Sequence, residues 1–421
     1  LENTSAVWQL TKYKRVIIFS AFIMMASTAF LPEQKETLEQ KAARIHNSVL
    51  TVDTHTDTPM HLLRSDFNIG ERHNAKETGT KSDLPRMKEG GLDAQFFAVF
   101  LGQGVRTDEG YEKANNKAFE IIKSIYKSVE ACPELAQIAR VPKDAYTIEK
   151  SGKRAIYIGI ENGYAIKRDL TMIKKFWQLG VRYITLCHTS NNDICDSSTD
   201  KNGAEHNGLS PFGVEVVKEM NRVGMMIDVS HISDSSLYDV LRITKAPIMA
   251  SHSCSRAMCD NPRNLTDDGL RAVAKNGGVI QMCILSDYVK SPEPNPARDS
   301  ARAVLRLKYH NFEGLSAEQE RTGWDEWREV SKKYPQKLAT VKDVVDHIDH
   351  IIKVAGIDHV GIGTDFDGGG AVSGCYDVSE MGNITLELVR RGYDEEQIRK
   401  IWGGNYMRVF KAVLENTGRE S

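Results

Sequence analysis

The sequence has no cysteine framework, no excess of either charge and no apolar run long enough to span a bilayer, and each lack removes a class of protein. Seven cysteines in 421 residues, spread from Cys132 to Cys375 with no Cys-x-x-Cys among them, are not the even, closely spaced set of a small disulfide-stapled chain. They are expected to be buried free thiols, with Cys254 and Cys259 as one pair that the sequence leaves open. Lys and Arg number 55 against 57 Asp and Glu, a formal net charge of -2 with no long basic block. A nucleic-acid binder needs clustered cations to displace counterions from phosphate, so that class is excluded. With 41% hydrophobic and 27% charged residues the composition is that of an ordinary globular protein. A chain of this length buries roughly three quarters of its unfolded surface and needs neither disulfide nor metal merely to fold. A metal, if the chain holds one, is there for function.

What is present begins with Lys12, Lys14 and Arg15 ahead of an apolar run, Val16 to Ala29, that ends on the small residues Ala26-Ser27-Thr28-Ala29. This is the order of a secretory signal, and the run is shorter than the ~20 residues of a spanning helix. Residues 1–30 are expected to be a signal-peptide-like segment and the chain to be exported, to the periplasm or the extracellular space; the alternative is a buried N-terminal helix. No cysteine near the small residues offers a lipid attachment point, and Thr417-Gly418-Arg419-Glu420-Ser421 carries no apolar tail. No stable membrane anchor is therefore expected.

From residue 31 onward the chain repeats one unit: a short apolar, β-branched run, a polar or glycine-containing turn, then an amphipathic helix. The strand candidates are eight: Val49 to Asp53, Ala94 to Phe100, Ala155 to Ile160, Tyr183 to Leu186, Met225 to Val229, Ile248 to Ala250, Val279 to Ile284 and His359 to Gly363. Helical spacing is clearest in Thr171 to Leu179, Pro211 to Val223, Ser235 to Ile243, Asp267 to Lys275 and Val341 to Ala355. Gly180, Gly224, Gly277 and Gly356 stand where helix-closing glycines belong. Such alternation predicts a parallel sheet, and eight units predict a single α/β domain of the (β/α)8 TIM-barrel type. In that fold function is built at the carboxyl ends of the strands.

Six strand ends carry a residue able to bind metal or move a proton: His55-Thr56-Asp57 after the first, Glu161 after the third, His188 after the fourth, His231 after the fifth, His252 after the sixth and Asp365 at the last. The remaining histidines, His46, His61, His73, His206, His310, His347, His350 and His359, read as surface, loop or packing residues. His-x-Asp at a strand end directs both side chains to one side, although His and Asp there also serve as turn and capping residues. Glu161 by itself reads as a cap or a ligand. Three histidines, an aspartate and a glutamate are too many for one tetrahedral zinc with an open position. They fit two metals sharing a bridging carboxylate, an arrangement that activates water and polarises a carbonyl or phosphoryl oxygen. The alternative is a barrel whose strand-end histidines only make hydrogen bonds.

At these residues the sequence resembles the membrane dipeptidase (renal dipeptidase) family of zinc peptidases, including its bacterial members, from about Val49 to Phe410. The motifs are Val52-Asp53-Thr54-His55-Thr56-Asp57, Gly159 to Gly163, Asp228-Val229-Ser230-His231, Ser251-His252-Ser253, Pro262-Arg263-Asn264-Leu265 and Gly363-Thr364-Asp365-Phe366-Asp367-Gly368. The resemblance implies two zinc ions per subunit, one held by His55 and Asp57, the other by His231 and His252, with Glu161 bridging them. It implies that a hydroxide activated by both metals attacks a dipeptide with free ends. His188 would contact the substrate carbonyl, Arg263 the carboxylate, and Asp365 would exchange protons and hold the free amine. Tyr288 corresponds to a family tyrosine near the carboxylate site. Members commonly pair as homodimers.

The sequence departs from the family pattern at Cys187 and Cys195 and in a long polar insertion, about 291–340, that contains Trp324 and Trp327. Loops of that length are uncommon unless they act; the segment is expected to shape the pocket or a subunit contact, or to be plain variable surface. Another amide substrate on the same two metals (an N-acyl amino acid, a cyclic amide or a β-lactam) stays open, because barrel loops vary more than barrel chemistry. A binding protein without activity is the reading that a complete ligand set disfavours.

Overall fold

The computed structural model describes residues 36–417 apart from 310, 311, 313, 314 and 316. The signal-like segment at 1–30 and His310 lie outside the described residues. Among those described, no helix is long and apolar enough to cross a membrane.

Among the described residues nine strands form one sheet: β1 Val52–Thr56, β2 Ala94–Phe100, β3 Ala136–Ile138, β4 Arg154–Glu161, β5 Val181–Thr185, β6 Met226–Asp228, β7 Met249–Ser253, β8 Val279–Met282 and β9 Val360–Ile362. All pairings are parallel, in the order β1-β2-β4-β5-β6-β7-β8-β9, with β3 attached only to the start of β4. The eight in sequence order are the eight expected runs, and they make a nearly closed (β/α)8 barrel. Buried on both faces, such strands read as continuous apolar stretches rather than as alternating ones.

The expected helices are present, and all but Thr171–Gln178 have a serine or threonine oxygen at the start. Ser210 accepts from Gly213 N ahead of Pro211–Val223, Ser233 from Ser236 N ahead of Asp234–Ile243, and Thr266 from Gly269 N ahead of Asp267–Lys275. Thr340 and Asp343 bond each other's backbone at the start of Val341–Ala355. These helices cover the outside of the sheet. Inside the barrel a second core joins Val52, Ala94, Ala155 and Val279, all at or near strand starts, to Phe96, Tyr157, Tyr183 and the C-terminal residues Tyr406 and Phe410. Phe96 and Tyr157 stack at 4.6 Å. The barrel is plugged at the strand starts.

Three differences from the sequence expectation bear on the site. β1 starts three residues later than expected, because the helix Leu38–Ser48 runs up to it, so His55 lies within the strand. His252 likewise lies within β7 and Glu161 ends β4. The 291–340 insertion is not a loop: it folds as two helices, Pro296–Lys308 and Ala317–Lys333, joined by aromatic contacts among Phe312, Trp324 and Trp327.

β9 and β1 do not share a regular ladder, and the segment after β9 closes the ring. Asp365 N donates to His55 O at 3.0 Å and Asp57 N to Phe366 O at 2.8 Å. Thr364 adds its backbone N–H and its hydroxyl to the Asp53 carboxylate, each at 2.7 Å. Gly363 permits this approach, since a Cβ there would stand 1.9 Å from the Ser251 carbonyl oxygen. Closure thereby sets Asp365 beside His55 and Asp57.

Candidate metal centre

Five side chains converge at the carboxyl mouth of the barrel. His55 comes from β1 and Asp57 from just beyond it, Glu161 from the end of β4, His231 from three residues past β6 and His252 from β7. Glu161 is central: its Oε2 lies 3.2 Å from His55 Nε2, and its Oε1 lies 2.9 Å from His231 Nε2 and 3.5 Å from His252 Nε2. His55 Nε2 is also 3.7 Å from Asp57 Oδ1 and 3.9 Å from Asp365 Oδ1. Three overlapping trios (His55, Glu161, His252; Glu161, His188, His231; His55, Asp57, Asp365) each bring their ligand atoms within 4.8 Å of one another.

The backbone is bent to bring this about. His231 has φ 71°, Asp365 φ 60°, and Asn162, next to Glu161, φ 80°. Non-glycine residues in this region cost on the order of 1–3 kcal/mol each and gather at functional sites.

Burial and proximity set the charges. Burial works against a charged His55, but Glu161 and then Asp57 and Asp365 overcome it and raise the imidazole to about 10. Burial would raise Glu161, yet the charge of His55 beside it and then the His231 imidazole hold it well below the ordinary carboxylate range. His231 and His252 are driven well below the usual imidazole value, first by burial and then by neighbouring cations that include Arg263. This favours the neutral ring, which keeps one nitrogen lone pair for a cation. Burial lifts Asp365 to about 7, against the pull of His55.

These residues fit a divalent cation. His55 Nε2 and Asp57 Oδ1 are buried without a hydrogen-bond partner among the described residues, a rare condition in proteins. His231 Nε2 and His252 Nε2 face each other at 2.9 Å. Imidazole nitrogens and carboxylate oxygens are the donors a borderline cation such as zinc takes.

Arg263 stands beside this cluster. Its Nη1 donates to Ser253 Oγ at 3.0 Å and its Nη2 to the His252 carbonyl at 2.8 Å, while Nε is buried without a partner. It is 3% exposed and forms no ion pair among the described residues, so it is a buried cation short of an anion. The Tyr288 ring centroid lies 5.8 Å from its guanidinium carbon. His188 closes the other side, with Nε2 3.8 Å from Glu161 Oε1 and its ring edge-on to Phe100 at 4.9 Å; burial lowers its pKa. All nine residues singled out in the sequence thus lie in or beside this one cluster.

A sequence model described as Membrane dipeptidase (Peptidase family M19) matches residues 39–421. The chain belongs to this family. As a membrane dipeptidase family member it is a metallo-dipeptidase, a hydrolase of peptide bonds. It is 30% identical over 398 residues to an uncharacterized dipeptidase of Schizosaccharomyces pombe, covering 91% of this chain and 85% of the relative. It is 31% identical over 382 residues to Dipeptidase 3 of Rattus norvegicus, covering 89% and 67%. The solved structure of the probable dipeptidase PvdM from Pseudomonas aeruginosa superimposes with a TM-score of 0.78 at 29% identity, over 90% of this chain and 99% of that one.

Sequence reasoning missed several neighbours of the centre. Asp367 accepts from Thr58 Oγ1 at 2.7 Å and Lys81 N at 2.6 Å and lies 3.5 Å from His61 Nε2, so His61, expected as a surface, loop or packing residue, steadies the Asp365 turn. Phe100 was read only as the end of a strand. Cys254 and Cys259 are both free: Cys254 Sγ donates to the Cys283 carbonyl at 3.2 Å, whereas Cys259 Sγ faces Asp287 O and Ser291 Oγ.

Proposed function

We propose that the enzyme hydrolyses dipeptides bearing a free N-terminus and a free C-terminal carboxylate, with two zinc ions as its metals. His55 and Asp57 would hold one ion, His231 and His252 the other, and Glu161 both. When bound, the pair supplies Lewis acidity to the substrate carbonyl and acidifies the attacking water.

The protein's own groups do the rest. Arg263 receives the carboxylate through the planar fork that an arginine presents, and Tyr288, whose hydroxyl is kept neutral by burial, borders that pocket as a donor. His188 gives a hydrogen bond to the carbonyl oxygen, where negative charge grows in the transition state. Asp365 takes the proton of the attacking water and returns it to the leaving amine, and it faces the substrate's free amino group. A carboxyl near neutrality suits a group that must both accept and donate. Recognition of both ends limits the substrate to two residues.

The observation that carries this reading is Arg263: a buried guanidinium without a counter-anion among the described residues, anchored to His252 through its carbonyl. The test compares a dipeptide with its C-terminal amide. Arg263→Ala is expected to lower kcat/KM for the free dipeptide by about 30-fold or more, the scale of losing one partner of a buried charge pair, and to bring acid and amide to similar rates. Equal slowing of both substrates would place Arg263 outside carboxylate recognition.

A further inference from the structure

Two of the three histidines at the centre have a buried partner on the nitrogen that points away from it. His55 Nδ1 lies 2.9 Å from Tyr183 Oη, and His252 Nδ1 lies 2.8 Å from Ser251 Oγ. In both rings Nε2 is the nitrogen that faces Glu161. Ser251 Oγ gives its own hydrogen to Asp228 Oδ2 at 2.6 Å, so toward His252 it acts as an acceptor, which puts the hydrogen of His252 on Nδ1 and leaves Nε2 as a bare lone pair. Asp228 is itself fixed by Ser230 N, Ser251 N and the Thr185 hydroxyl. His231 differs: its Nδ1 is buried with no partner among the described residues.

Tyr183 reaches His55 from β5, across the inside of the barrel, and room has been made for it. A Cβ on Gly159 of β4 would fall 2.1 Å from Tyr183 Cζ. Gly159 is not among the residues with positive φ, so glycine is required there for space and not for backbone conformation. The Tyr183 ring is fully buried and lies 29° from the plane of His55, the two ring centroids 6.4 Å apart.

We propose that Tyr183, Ser251 and Asp228 are positioning residues of the metal centre, holding His55 and His252 as Nδ1–H tautomers with Nε2 turned to the cation, and that Gly159 keeps the place of Tyr183. This rests on the reading of the five-residue cluster as a divalent-metal site. Outer partners of ligating histidines orient the ring and raise its basicity, and their loss typically costs about 10- to 100-fold in metal affinity.

The experiment strips the full-length enzyme of metal and titrates Zn2+ in competition with a chromophoric chelator, then records the visible absorption of the Co2+ form. Wild type, Tyr183→Phe, Gly159→Ala and Ser251→Ala are compared. Tyr183→Phe and Ser251→Ala are each expected to weaken Zn2+ binding by about 10- to 100-fold and to change the Co2+ spectrum. Gly159→Ala is expected to follow Tyr183→Phe although every hydroxyl and ligand remains, and the double variant to be no worse than the singles, because both act through one contact. Thermal midpoints of the metal-free forms separate a loss of fold from a loss of metal; should Gly159→Ala fail to fold, the other two variants decide. Zn2+ affinities within about twofold of wild type, with unchanged Co2+ spectra, would overturn the proposal. A wild type that binds neither Zn2+ nor Co2+ would instead remove the metal reading on which it rests.

Discussion

Asp365 sits 3.9 Å from His55 Nε2, near enough to be a metal ligand and placed to be a proton carrier, and one substitution separates the roles. Asp365→Asn keeps the shape and removes the exchangeable proton. Turnover is expected to fall by about 10²- to 10⁴-fold, the usual contribution of a positioned acid–base group, with zinc content by atomic absorption equal to wild type; zinc lost along with activity would make Asp365 a ligand. A second residue-level expectation concerns His46, far from the chemistry. Trp402 Nε1 donates to Thr385 Oγ1 at 2.8 Å, Thr385 Oγ1 lies 2.7 Å from His46 Nδ1, and His46 Nε2 lies 2.8 Å from the Gly90 carbonyl, a chain that suits a neutral ring. Burial lowers the His46 pKa from its ordinary 6.5, against the raising effect of the Gly90 carbonyl. Above that value both the folded and the unfolded chain hold it neutral and its contribution to stability is complete. As the pH falls below it, only the unfolded chain takes up the proton, so stability declines until the lowered folded pKa is passed. Urea midpoints between pH 7 and 5 are expected to fall less steeply for His46→Gln than for wild type, and parallel slopes would refute the assignment. At this scale the candidate ligands were legible because histidines at the ends of apolar runs are conspicuous. Tyr183 and Gly159 were not, since each reads in sequence as an ordinary strand residue and their relation exists only across the barrel.

Among the elements, the strands were legible for a reason that also explains the misses. A parallel strand buried on both faces is a short apolar run between turns, and eight such runs stand out. β3 has three residues, Ala136–Ile138, and pairs only at the edge of β4, too short for any pattern. The helical pair at 296–333 is so charged that it reads as loop; its order comes from Phe312 stacking on Trp324 at 4.4 Å and from Lys308 and Tyr309 meeting Glu326. The contact of Asp53 with Thr364, 311 positions apart, has no local signature at all. The first of these helices is also tied to the segment that carries Tyr288: Arg298 Nη1 donates to Gln336 Oε1 at 2.6 Å, and Gln336 Nε2 donates to Asp287, next to Tyr288. Gln336→Ala is therefore expected to raise KM for a dipeptide by up to about 10-fold, the loss of one polar contact, with kcat and zinc content unchanged. A KM equal to wild type would leave these helices as surface only.

For the whole molecule, one geometric event joins fold to activity: the turn after β9 closes the barrel on β1 and in doing so brings Asp365 to His55. The proposed hydrolysis needs a metal, a free carboxylate and a free amine together, and one measurement addresses all three. Metal-loaded and chelator-stripped enzyme are assayed on a free dipeptide, its N-acetyl derivative and its C-terminal amide, following released amino acid. The prediction is rapid cleavage of the free dipeptide alone, abolished by stripping and restored by Zn2+. Cleavage of the N-acetyl compound at a similar or higher rate, or undiminished activity after stripping, would contradict it.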